Sequence, residues 1–127
     1  MEHRDFYGLV EQIYTSDKRY KPDAYEFVMQ ALHFTQSKLR RRGHVHGGEL
    51  LDGIRRLIID KYGPMAKTVL EHWGIRETQD FGNIVFNMVD RRILAKTEND
   101  SPAAFKNVYD FEEAFGHVLR DSPLPQE

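Results

Sequence analysis

Apolar residues recur along this chain at helical spacing. Phe6, Leu9, Val10, Ile13 and Tyr14 fall on one side of a 3.6-residue repeat, which predicts a first amphipathic helix over residues 4–15. Residues 17–21 are polar and predict a connection. Pro22 suits the first turn of a second helix, where its missing N–H costs nothing, and Asp23 and Glu26 then lie near the positive end of the helix dipole. Tyr25, Val28, Leu32, Thr35 and Leu39 form that helix's stripe, widened by Phe27, Ala31 and Phe34. The run Arg40-Arg41-Arg42-Gly43 reads as its end, with cations in the last turn and glycine just beyond.

A glycine- and histidine-rich loop, residues 43–48, precedes a third helix over 48–62 with Leu50, Leu51, Ile54, Leu57 and Ile58 on its buried face. Gly63-Pro64 separates it from a fourth, 64–73, carrying Met65, Val69, Leu70 and Trp73. Gly74 ends that helix, and Ile75 supplies the apolar contact that often follows such a cap. Thr78 suits the N-cap of a fifth helix, 78–92, whose stripe is Phe81, Ile84, Val85, Met88 and Val89. The pattern then changes. Ile93 to Thr97 and Phe105 to Tyr109 read as two short strands around the turn residues Asn99-Asp100-Ser101-Pro102. Asp110 with Glu113 imitates a capping box and opens a final helix bearing Phe111, Ala114, Phe115, Val118 and Leu119. The expected fold is therefore mainly α, about six helices with a short β-hairpin. Its C-terminal half is winged-helix-like: helices 48–62, 64–73 and 78–92, then a wing over 93–109.

The chain has 127 residues, of which 40% are hydrophobic, enough for one core and one domain over 1–121 with a frayed tail, 122–127. There is no cysteine, which excludes disulfides, thiolate metal sites and cysteine nucleophiles. No apolar run approaches the roughly 20 residues of a membrane helix. The N-terminus has no apolar run after its charges, so the expected location is the cytoplasm, with no membrane contact.

The net charge of −2 is unevenly spread: residues 38–67 carry 8 basic and 3 acidic groups, residues 98–127 carry 2 and 7. Either the basic stretch meets an anionic partner, or the two stretches neutralise each other. Lys38, Arg40, Arg41 and Arg42, with Arg55 and Arg56 further on, form the densest basic group. The helix dipole alone gives a reason for cations at a helix end.

Several segments together, Glu49-Leu50-Leu51-Asp52-Gly53-Ile54-Arg55, Tyr62-Gly63-Pro64-Met65-Ala66, Trp73-Gly74-Ile75, Asp80 to Asn87, Lys96-Thr97-Glu98, Asp100-Ser101 and Tyr109-Asp110-Phe111, resemble a small bacterial family of unassigned activity. Tyr25 to Leu39 also fits, so the likeness spans most of residues 20–115. It implies a coherent domain and no catalytic role. It also implies that His44 is a usual residue and that His46 is often replaced by a small polar one.

Candidate chemistry is sparse. His44-x-His46 followed by Glu49 imitates the opening of a metal site, which would support a metal-dependent hydrolase. The competing reading has His44 cap the preceding helix or pack in the loop and leaves His46 on the surface. The serines Ser16, Ser37, Ser101 and Ser122 lie in no nucleophile motif, and no carboxylate pair stands out. Gly47-Gly48 lacks the spacing and lysine of a phosphate loop. No enzyme and no cofactor is expected. On the fifth helix Phe86 points off the apolar stripe, so with Asn83 and Asn87 it is a candidate contact surface unless the wing or last helix covers it. The expected function is a protein-interaction or regulatory module that uses the basic patch on a protein partner or a second copy. The alternative is a winged-helix nucleic-acid binder relying on Arg91, Arg92 and Lys96, with Gln79, Asp80, Asn83, Asn87 and Asp90 facing the groove. Two aspartates on that face argue against it.

Overall fold

The computed structural model describes residues 3–95 and 101–116. The expected helical periodicity is realised as α1 (His3–Ser16), α2 (Pro22–Leu39), α3 (Gly47–Tyr62), α4 (Ala66–His72), α5 (Thr78–Asp90) and α6 (Phe111–Phe115). Short 3-10 turns, Gly63–Met65 and Pro102–Phe105, precede α4 and α6.

The central pair is α2 and α3. Their backbones approach at Gly53, where an added Cβ would collide with the Thr35 hydroxyl. Thr35 is buried and its hydroxyl donates back to the Ala31 carbonyl at 2.7 Å, so no polar group is stranded there. Val28, Ala31, Leu51, Ile54, Ile58, Leu70, Ile75, Phe81, Ile84 and Met88 are fully buried and form the core. Trp73 is buried against Phe27, with ring centroids 5.5 Å apart.

Helix α4 ends as its sequence suggests. Gly74 sits at φ 95°, its N–H donates to Glu71, and the Ile75 N–H reaches back to Leu70 at 2.9 Å. This double bond satisfies carbonyls left open by the helix end, and Ile75 is buried. Helix α2 ends earlier than the glycine at 43 implies. Arg40 itself takes the left-handed position, φ 55°, and the Arg41 N–H donates to Gln36. At α5 the N-cap is Glu77 rather than Thr78, and the Asp80 carboxylate accepts from the Glu77 and Arg76 N–H groups at 3.1 and 2.8 Å. Asp110 caps α6 as expected, accepting from the Glu113 N–H at 3.1 Å.

The wing is overturned. The described residues contain no strand. Residues 96–100, which include Lys96 and part of the expected turn, lie outside them, as do Val118, Leu119 and the tail 122–127. After Ser101 the chain enters a 3-10 turn opened by Pro102. Its Phe105 is buried over Gly82, whose hypothetical Cβ would lie 2.9 Å from the Phe105 Cβ. The Thr78 hydroxyl donates to the Phe105 carbonyl at 2.6 Å and accepts from the Val108 N–H at 3.1 Å. Backbone groups that a hairpin would pair are thus tied to a side chain, and Asn107 at φ 53° breaks any extended run. Without a wing the winged-helix assignment falls.

Candidate functional site

Helix α5 packs against α2 and the connection that precedes it. Near their starts Tyr20 meets α5: its hydroxyl donates to Asp80 Oδ1 at 2.5 Å and accepts from Asn83 Nδ2 at 2.9 Å. Further along, Asn87 Nδ2 donates to the Tyr25 hydroxyl and to Asp17 Oδ2, both at 3.0 Å. Asp17 also holds Arg19 through two bonds, at 3.0 and 2.8 Å. That guanidinium keeps the Asp17 carboxyl well below the usual carboxylate range, with help from Asn87. Burial pushes the Tyr20 and Tyr25 hydroxyls up. The polar row Asp80, Asn83 and Asn87, expected to face solvent or a groove, is therefore a hydrogen-bonded seam against residues 17–25.

Beside this seam α2 and α5 border a cleft of about 320 Å³. Val28, Leu32, Val85, Phe86, Val89 and Phe105 form its walls. Phe86 meets Phe105 edge-on at 6.3 Å, so the off-stripe phenylalanine is a half-buried wall residue. Asn83 and Asn87 are instead half-buried and bonded to Tyr20, Tyr25 and Asp17. At the mouth stand Gln36, Arg42 and His44. Gln36 spends its amide donors on the carbonyls of Arg42 and Gly43, at 3.0 and 2.9 Å, which fixes the rim.

The basic residues divide into two groups. Arg41 makes a two-pronged contact with Glu49, at 2.8 and 3.2 Å, and this lowers the Glu49 pKa. Arg55 and Arg56 both bond Asp52, at 3.3 and 2.8 Å. Lys38 lies over the Phe34 ring at 5.5 Å. Arg40 and Arg42 are exposed, with no side-chain bond to another described residue. Arg91 donates to Gln12 and Ser16 on α1, while Arg92 is exposed in the left-handed conformation, φ 61°, just after α5. Lys38, Arg40 and Arg42 at the end of α2, and separately Arg92 after α5, are thus a surplus of exposed cations.

His44 and His46 stack edge-on with ring centroids 5.0 Å apart. His46 is the N-cap residue of α3, and its N–H donates to Glu49 Oε1 at 2.9 Å. The three residues of the metal-like pattern are adjacent, but Glu49 is committed to the helix start and to Arg41. Among the described residues no three His, Asp or Glu side chains gather as a metal site. No described helix is long and apolar enough to cross a membrane.

Two features escape a reading of the residues alone. One is the cleft, whose signal was an α5 stripe too wide for one seam: Val85, Phe86 and Val89 form a second apolar strip beside Phe81, Ile84 and Met88. The other is Thr78, whose buried hydroxyl binds the 105–108 loop and is silent in the sequence. No protein-family model, curated protein or solved structure matches this chain.

Proposed function

We propose that this chain is a non-enzymatic interaction module that holds an acidic surface of a partner protein on the exposed cations at the end of α2. The observation that carries this reading is Arg40. It occupies a left-handed position directly after α2, where glycine is favoured and a side chain costs about 1 kcal/mol. Arg92 repeats the arrangement after α5. Cations placed anywhere in the last turn would answer the helix dipole without that cost, so a strained, exposed arginine points to a use outside the fold. The neutralised arginines, Arg41, Arg55 and Arg56, contribute little to such a surface.

The experiment compares two charge-removed proteins by in-cell crosslinking. Lys38→Gln with Arg40→Gly removes two members of the surplus; Arg55→Gln with Arg56→Gln removes the same charge from the Asp52 site. The expected result is a discrete adduct that the first pair loses and the second keeps, while Arg40→Gly alone raises stability by about 1 kcal/mol. Loss of the captured complex on washing at about 1 M salt, where the screening length falls to about 3 Å, would fit the same contact. A self-adduct would make the partner a second copy. Equal loss in both pairs, or tight binding of duplex DNA at low salt that the first pair abolishes, overturns the reading.

A further inference from the structure

We infer that the cleft between α2 and α5 is a binding site for a medium-chain aliphatic carboxylate, its chain on the apolar walls and its carboxylate on Arg42. The walls offer an aliphatic chain everything and a polar ligand nothing: Leu32, Val85, Phe86, Val89 and Phe105 present only carbon. Polar groups are confined to the mouth, and they are not equivalent. Gln36 is committed to the rim backbone, and the His44 ring packs on His46. Arg42 lines the mouth and makes no side-chain bond to another described residue. A wholly apolar ligand would leave that guanidinium unused, whereas a ligand with one anionic end would meet a donor fork suited to a carboxylate. Size narrows the class further. At about 320 Å³ the cleft lies at the small end of ligand sites, a size that suits one short chain.

The inference does not depend on the docking reading, whose test leaves Arg42 and the cleft walls untouched. It is tested by calorimetric titration of the full chain with hexanoate, octanoate and decanoate below their micellar concentrations, and with octanol. Affinity is expected to rise about fourfold per added methylene until the cleft is full. Arg42→Gln should weaken every carboxylate about tenfold and leave octanol unchanged. Val89→Trp, which fills the cleft, should abolish binding of both classes while circular dichroism stays native. Should that variant not fold, Leu32→Glu carries the same test, because it sets a like charge against the carboxylate. Absence of heat with all three acids overturns the inference. So does an affinity indifferent to chain length, or an Arg42→Gln protein that binds octanoate as the parent does.

Discussion

Two glycines show how differently one residue type can matter. Gly74 combines a left-handed backbone, φ 95°, with close approach to the preceding connection, since a Cβ there would collide with the Arg19 carbonyl oxygen. The contact is part of the fold: the Lys21 N–H donates to the Trp73 carbonyl at 3.1 Å beside it. Gly8 lies inside α1 with nothing within 4 Å of its hypothetical Cβ. Gly74→Ala should therefore cost about 3 kcal/mol or prevent folding, from strain and steric displacement together. Gly8→Ala should stabilise by up to about 1 kcal/mol through helix propensity. Urea unfolding of the two proteins checks both signs at once. Gly74 was legible in the sequence, because glycine followed by an apolar residue after a helical stripe is a cap signature. Arg40 was not, because nothing in a run of three arginines says which one turns left-handed.

At the scale of elements, the stripes located each helix, and the errors fell where polar residues do structural work. Asp80, Asn83 and Asn87 read as a solvent face because hydropathy scores a polar residue alike in water and in a satisfied seam. Only their partners, Tyr20, Tyr25 and Asp17, some 60 to 70 positions away in the chain, decide the matter. The region 101–109 failed for a related reason. Phe105, Val108 and Tyr109 are residue types that suit a strand, but a strand needs a neighbour, and Thr78 takes the Phe105 carbonyl and the Val108 N–H instead. Thr78→Val keeps the shape and removes both bonds from a fully buried site. The expected cost is about 2 kcal/mol, since two backbone groups lose their partner. Amide exchange at Val108 should accelerate far more than at Ile84 in the core, which separates release of this loop from general loosening. Equal acceleration at both positions would mean that Thr78 acts only through overall stability.

Among the described residues the ion pairs are local more often than they join the basic middle to the acidic C-terminal quarter. Of the two explanations for the basic middle and acidic C-terminal quarter, mutual neutralisation is visible among the described residues at Lys67, which bonds Glu112 at 3.1 Å. Arg41, Arg55 and Arg56 answer acids on their own or the adjoining element. The exception with consequences for the entire fold is Asp17, where the α1–α2 connection is pinned to α5 through Asn87 and to Arg19. Its folded pKa is depressed, chiefly by Arg19. A depressed carboxylate stabilises the fold fully above its unfolded pKa, near 3.9, and that contribution fades as pH falls below it, because the unfolded chain then binds the proton first. Asp17→Asn should consequently be less stable than the parent at pH 7, and the gap should narrow steadily below about pH 4. Both Asp17 and Arg19 are partly exposed, so salt should reduce the gap at neutral pH as well. Urea midpoints measured at neutral pH and at about pH 3 decide the point. A gap that stays constant across that range would place the stabilisation in the hydrogen bond to Asn87, which does not need the charge, and would remove the connection between acid unfolding and this seam.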